Sequence, residues 1–327
     1  MTITSPGTVE LLPIPDARDP LTPASLEVVG RTVCSLVSPG TEVSGAFRPG
    51  PERPARYPVT PGYAAVFRVE AVGSEVPGLA VGDLVYTQGG HRSHQRRPAD
   101  EVVRLPEGLD PFAAVFARLM AVPMATLSTT AARPGDLVGV SGLGPVGHLA
   151  AVIFAVSGYD VTAWDPRAER RALLPAAVRT LPTPPEPEPI GQFGTAAGFD
   201  LVLECSGNDG AALECVRRVR ALGEVVLVGT PWTRRTDATA HELLHEVFHR
   251  YAVLRSGWEW QLPASPTPFT GRSAARNLEL AFRWLRSGTV GVQHLADRRA
   301  PADAQDVYDE LAAGTAERLT TVFDWGV

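Results

Sequence analysis

Apolar positions follow two patterns along the chain. Over about the first 110 residues they form short Val-rich runs broken by Gly and Pro, a pattern that predicts strands joined by tight turns. TVCSLVS, YAAVFRVEAVG and DLVYTQ are the clearest predicted strands, with PGLAVGD a turn between the last two. EVVRLPEGL leads into an Ala-rich stretch, from Pro111 to about Ala132, that reads as helix. From Asp136 the pattern changes. DLVGVSG reads as a strand, PVGHLAAVIFAVSG as a helix, DVTAWD as a second strand and PRAERRALL as the start of another helix. FDLVLECSG, GEVVLVG and YAVLRSG read as further buried strands, and NDGAALECVRRVRAL as an amphipathic helix between two of them. Apolar strands alternating with helices predict a parallel sheet covered on both faces. LPTPPEPEPIG, at 181–191, is too Pro-rich for a helix or central strand and reads as a surface loop. It stands where a longer strand–helix unit would fit, so this half of the sheet is expected to be abbreviated. The tail from about His294 returns to mixed character and ends in a predicted strand, RLTTVFDWGV, and no internal repeat is visible.

The length of 327 residues favours two domains, since single cores stop growing at roughly 250–300 residues. A formal charge of −6 argues against general affinity for nucleic acid or an anionic membrane. Arg92, Arg96 and Arg97, and the pair Arg298 and Arg299, then read as solvated faces. No stretch reaches the roughly 20 apolar residues of a membrane span. MTITSPGTVELLP lacks a basic region followed by an apolar run, so no secretory signal is expected. Cys34, Cys205 and Cys215 are scattered and odd in number, which fits a reducing compartment and speaks against a disulfide framework. A cytoplasmic protein is expected.

The segment DLVGVSGLGPVGHLAAVIFAVSGYDVTAWD carries the most specific chemistry. Gly142, Gly144 and Gly147 form a G-x-G-x-x-G pattern after a predicted strand, a helix opens at Pro145, and a second strand ends in Asp165. Gly142 is read as allowing the tight turn, Gly144 as letting backbone approach a pyrophosphate, and Gly147 as letting the helix pack on the sheet. The helix N-terminus supplies free N–H groups and a positive dipole end, and Pro145 is harmless in a first turn. Asp165, 18 residues after Gly147, can accept hydrogen bonds from a ribose diol and would repel a 2′-phosphate. That predicts NAD over NADP, although Arg167 and Arg170 nearby keep NADP open. Leu143, Val146, Ser206 and Gly229 complete the expected cofactor-binding set.

Here the chain resembles the medium-chain dehydrogenases/reductases along nearly its whole length. PVTPGYAAVFRVEAVGSEVPGLAVGDLVY is similar to their P-x-x-P-G-H-E segment with its A-V-G and V-G-D turn. GGHRSHQRRPADEVVRLPEGL and LVLECSGNDGAALECVRRVRALGEVVLVG are similar to further family segments. The resemblance implies an α/β protein: a Rossmann doubly wound parallel sheet, residues 116–292, and a GroES-like, mostly-β catalytic domain, residues 1–115 and 293–327. It also implies a small-molecule substrate and a homodimer through the Rossmann sheet.

The departures from the family are informative. Zinc-dependent members read C-G-S/T-D where this chain has Pro39-Gly40-Thr41-Glu42, and G-H-E where it has Gly62-Tyr63-Ala64. The third ligand would fall near Ala117. All three catalytic zinc ligands are missing, and so is the four-cysteine structural lobe. No zinc is expected. The S-P-G-T-E variant resembles a zinc-free branch that includes bacteriochlorophyllide dehydrogenase-like proteins and alcohol dehydrogenases of bacterial secondary metabolism.

Without a metal, another group must handle the hydroxyl proton of a secondary alcohol. Tyr63 stands at a lost ligand position and reads either as a donor to a developing alkoxide or as filler of the vacated space. Thr41 matches the hydroxyl that contacts the substrate oxygen in zinc members. Glu42 is read either as a base or as a structural anion paired with an arginine. His91, placed in the strand after the turn, is a candidate base with surface histidine as its alternative; His94 is a weaker one. His241, Glu242 and His245 spell H-E-x-x-H, with His249 a turn further on; they fall where a crossover helix is needed and read as a partly exposed amphipathic helix, with an adventitious or structural metal site on that face, and then a metalloprotease, as lesser alternatives. Trp258 and Trp260 read as core or dimer packing, or as the lining of a bulky substrate pocket. Three functions follow: an NAD-dependent alcohol/ketone oxidoreductase in first place, a C=C (enoyl or quinone) reductase, and a non-catalytic nucleotide-binding scaffold.

Overall fold

The computed structural model describes residues 1–13, 22–51, 54–191 and 197–326. It divides into two units, Met1–Arg118 with Phe282–Val327, and Leu119–Ala281. Both divisions fall within helices, Ala117–Thr129 and Ala274–Ser287, whereas the family resemblance implies domain limits at 115/116 and 292/293.

In the second unit six strands form one wholly parallel sheet. Their spatial order is Arg179–Leu181, Asp160–Trp164, Leu137–Ser141, Phe199–Glu204, Val219–Leu227 and Val253–Ser256. Numbered along the chain this is 3-2-1-4-5-6, the doubly wound Rossmann order, whose direction reverses between Leu137–Ser141 and Phe199–Glu204. Val138, Val140, Leu201, Val202, Leu203, Val225 and Val226 are fully buried. The continuous apolar runs thus arise from cover on both faces. The Gly142 loop and the Cys205–Asn208 turn follow the two strands at the reversal, so topology alone puts them side by side.

Two predicted helices are shorter than the pattern suggested. PRAERRALL supports only Ala168–Arg171, because Leu173 and Leu174 make tighter bonds to Arg170 and Arg171 and Pro175 disfavours helix in the residue before it. NDGAALECVRRVRAL is helical over Asp209–Val216 only. Its last residues enter the strand Val219–Leu227, whose register shifts against its neighbour: Phe199 pairs with Val219 but Leu201 with Glu224. The Ala-rich stretch is two helices, Pro111–Ala114 and Ala117–Thr129. Trp258 and Trp260 are exposed, at 62% and 57%, rather than part of this chain's core.

The first unit is built on the long strand Glu27–Leu36 of a seven-stranded mixed sheet. That strand pairs antiparallel with Ala65–Val72, His94–Pro98 and Thr320–Asp324, so the C-terminal strand lies beside an N-terminal one. Thr2–Ser5 and Thr8–Glu10 form a separate two-stranded sheet that the apolar pattern did not reveal. It places Ile3 and Val9 in a core with Phe47, Tyr308 and Phe323.

Candidate functional site

The glycine loop has the geometry its spacing suggests. Gly142 has φ of +85°, a left-handed value that favours glycine. A Cβ on Gly147 would lie 1.8 Å from the Gly142 carbonyl oxygen, so no larger residue fits. A Cβ on Gly144 would meet nothing within 4 Å; this glycine faces open space at the N-cap of the helix Pro145–Val156, which no side chain caps. An uncapped helix start beside open space fits a pyrophosphate. Leu143 anchors the loop with a fully buried side chain, while Pro145 and Val146 are part-buried in the first turn.

Asp165 is only 4% exposed. Its two oxygens accept hydrogen bonds from the backbone N–H groups of Leu143 (2.8 Å) and Arg167 (2.9 Å), and Arg170 lies 3.5 Å away. It therefore ties the end of its strand to the glycine loop. A carboxylate offers about four acceptor sites, so these contacts leave capacity for a ribose hydroxyl.

Sequence reasoning missed Glu204. It is 1% exposed and ends the strand beside the Gly142 loop. Its carboxylate accepts the backbone N–H groups of Ser206 (2.7 Å) and Gly207 (3.1 Å) and the Ser206 hydroxyl. Ser206 thus stands against Gly142, where a Cβ on that glycine would be 2.7 Å from Ser206 Cβ. Gly229 closes the turn from the other side, since a Cβ there would be 2.2 Å from Gly207 N. The available signal was an acid at the end of an otherwise apolar strand, LVLE. Burial pushes its carboxyl up, against the pull of the Ser206 and Gly207 hydrogen bonds. A folded value above the unfolded one means this group's contribution to stability is greatest at low pH and falls as pH rises through that window. Glu204→Gln is expected to remove that fall, so its stability relative to the wild type should improve from pH 4 to pH 7 in urea unfolding.

In the first unit, a short helix and a glycine turn bring three hydroxyls together. Ser38 precedes the single-turn helix Pro39–Glu42, which Pro39 opens. Gly62, at φ +91°, passes so close to His91 that a Cβ would lie 2.7 Å from His91 N, and it presents Tyr63 to the same point. The Tyr63 phenol donates to Ser38 Oγ, and Thr41 Oγ1 is 3.3 Å away. Burial holds that phenol above its ordinary value, against the two hydroxyl contacts, so it stays protonated at neutral pH.

Beneath lies a buried polar cluster. Glu42, 3% exposed, accepts the Ser38 backbone N–H at 2.7 Å, His91 Nε2 is 3.0 Å away, and the Tyr308 phenol donates to it. His91, with no exposed surface, has Nδ1 2.8 Å from Ser35 Oγ, which also accepts from Trp325 Nε1 at 2.9 Å. Two expectations are corrected here. Glu42 pairs with a histidine and a tyrosine, not an arginine, and His91 lies in a bend before the strand His94–Pro98, not within it. His91 is a buried residue, and its depth argues for positioning rather than contact with substrate.

A catalytic zinc does not fit this unit. The corresponding positions hold Pro39, Tyr63 and a fully buried Ala117, none of which is an ordinary zinc donor. The histidines at 241, 245 and 249 line an exposed face of the helix Ala240–Arg250, with ring centroids 6.2 Å and 4.2 Å apart. The glutamate of H-E-x-x-H is engaged in a capping box, accepting the Thr239 N–H at 2.6 Å while Thr239 caps Glu242 N. Among the described residues no three His, Cys, Asp or Glu side chains are grouped to hold a metal.

Comparison with known proteins finds likenesses to dehydrogenases. No family model matches the chain. An alcohol dehydrogenase of Geobacillus stearothermophilus is 26% identical over 226 residues, covering 58% of this chain and 66% of its own length, just under two thirds. Among solved structures, galactitol-1-phosphate dehydrogenase from Escherichia coli superposes with a TM-score of 0.75 at 18% identity and 99% coverage of both chains. A structure from Sinorhizobium meliloti 1021, described as a zinc-binding dehydrogenase bound to NADP, superposes at 0.76 and 18%, covering 99% of this chain and 98% of its own. The chain is thus similar in sequence to an alcohol dehydrogenase over part of its length and shares the fold of these dehydrogenase structures. No described helix is long and apolar enough to cross a membrane.

Proposed function

We propose that the protein is a zinc-independent, NAD-dependent oxidoreductase interconverting a secondary alcohol and a ketone. The observation that carries this reading is the protonated Tyr63 phenol, hydrogen-bonded to Ser38 beside the Thr41 hydroxyl where metal donors are absent. A bound nicotinamide would supply or accept the hydride. Gly142, Gly144, Gly147 and the uncapped helix start would hold its pyrophosphate, with Leu143, Pro145 and Val146 shaping the loop. Asp165 would accept the ribose diol, and Arg167, Ser206 and Gly229 would border it. Tyr63 would give the substrate oxygen its proton, or withdraw it in the oxidative direction, and recover through Thr41, which is exposed. Glu42 and His91 would hold Ser38 and the turn before Tyr63 in register rather than touch substrate.

The substrate, by resemblance of the S-P-G-T-E segment, is a small molecule of bacterial secondary metabolism, and the protein is cytoplasmic. A homodimer through the Rossmann sheet is supported by the edge strand Val253–Ser256 and the exposed Trp258 that follows it. Titration with NADH and NADPH, followed by nicotinamide fluorescence, tests the cofactor reading. NADH is expected to bind at least tenfold tighter, and Asp165→Ser to narrow that ratio. Equal affinities in the wild type would overturn the NAD assignment.

A further inference from the structure

We propose that Arg118 supplies, beside Tyr63, the positive charge that stabilises the developing phenolate during proton transfer. The inference deepens the alcohol/ketone reading and rests on it. The Arg118 guanidinium carbon lies 4.6 Å from the centroid of the Tyr63 ring, and the residue is 8% exposed. A guanidinium stays charged at any working pH, and stacking on an aromatic face suits its planar shape. Removed from water, that charge acts on Tyr63 with far less screening than a surface arginine would.

The chemistry needs such a group. In the reduction of a ketone a bound nicotinamide would supply the hydride for the carbonyl carbon, and the carbonyl oxygen would need a proton. If Tyr63 gives that proton, its O–H bond breaks, a new O–H bond forms on the substrate, and a negative phenolate is left behind. Burial opposes that charge, and so does the neighbouring carboxylate of Glu42. Arg118 acts in the opposite sense. The Ser38 and Thr41 hydroxyls accept from or lie beside the phenol in the resting state, and can rotate to donate to the phenolate. They relay a replacement proton from solvent, which closes the balance. Arg118 also follows Ala117, where the third zinc ligand of the resembling family would fall, so sequence order puts the cation next to the lost ligand position.

The test reads Tyr63 directly. Protein carrying 3-fluorotyrosine is titrated by ¹⁹F NMR, with the Tyr63 resonance assigned by its loss in Tyr63→Phe. Arg118→Gln should raise the Tyr63 midpoint by about one pH unit, a roughly tenfold weaker acid, as expected for losing an opposite charge at this distance. Arg118→Lys, which keeps charge without the planar stack, should recover part of that change and also serves if the Gln variant does not fold. With a turned-over ketone, Arg118→Gln should lower kcat about 10–100-fold with KM changed less than about threefold, the pattern of an interaction made in the transition state. Coincident Tyr63 titrations in wild type, Gln and Lys proteins would overturn the proposal. Failure of the wild type to turn over any alcohol or ketone would sink the dehydrogenase reading, while the NMR midpoint would still decide whether Arg118 acts on Tyr63.

Discussion

Tyr63→Phe is expected to lower kcat for ketone reduction about 100-fold or more while leaving NADH affinity within about twofold of the wild type. The substitution keeps the ring, and with it the stacking surface under Arg118, 4.6 Å from the ring centroid. It removes only the hydroxyl that donates to Ser38 Oγ and lies 3.3 Å from Thr41 Oγ1. Uniform substrate binding would survive, so kcat and kcat/KM should fall together. Thr41→Val should give a smaller loss, because Thr41 serves the return of the proton rather than its delivery. Steady-state kinetics with NADH and a ketone panel check both. A Tyr63→Phe protein with undiminished kcat would leave the phenol as filler of the vacated ligand position.

The second large effect is on stability. Glu42→Ala is expected to cost about 3–5 kcal/mol, because it leaves buried partners of a removed charge without their acceptor. Ser38 N–H, His91 Nε2 and the Tyr308 phenol all meet this carboxylate. Tyr308 is fully buried, and burial together with the Glu42 charge pushes its phenol up, so it remains a donor throughout the usual pH range. Tyr308→Phe removes one donor and leaves the carboxylate its other partners, so it should cost less, about 1–3 kcal/mol. Urea unfolding of the three proteins at constant pH orders them. Equal stability of Glu42→Ala and wild type would mean that the cluster does not hold the unit together.

Much of the second unit was legible because its signals are local. A glycine pattern between a strand and a helix, apolar runs of strand length and an acid at a strand end each depend on neighbours a few residues away. The loop at 142–147 could be read that way, and so could Asp165. The helix after Asp165 was overestimated because residue propensity does not register the stop imposed at Pro175. Glu204 was missed because its role depends on the Cys205–Asn208 turn closing against a loop some sixty positions earlier, which no short window displays.

The first unit was less legible for a related reason. Its polar cluster draws Ser35, Glu42, His91, Tyr308 and Trp325 from four distant parts of the chain, joined only when Thr320–Asp324 pairs with Glu27–Leu36. Read alone, Glu42 and His91 have the residue types of an acid–base pair. Their burial, at 3% and 0% exposed, argues for support rather than contact with substrate. Tyr63 could be singled out because the family pattern places a ligand there; Ser38, the first residue of S-P-G-T-E, and Arg118, next to the third ligand position, show a role only once the fold sets them against the phenol. H-E-x-x-H shows the converse case, in which a motif of specific spelling is met by a capping box and an exposed histidine face.

The measurement that tests the central claim most directly is ketone-dependent NADH oxidation by protein stripped of metal with a chelator, zinc content being determined on the same sample. Turnover that persists with less than about 0.1 zinc per chain and falls about 100-fold in Tyr63→Phe is the result this account predicts. Turnover that vanishes on stripping and returns on adding zinc, with Tyr63→Phe indistinguishable from wild type, would contradict it.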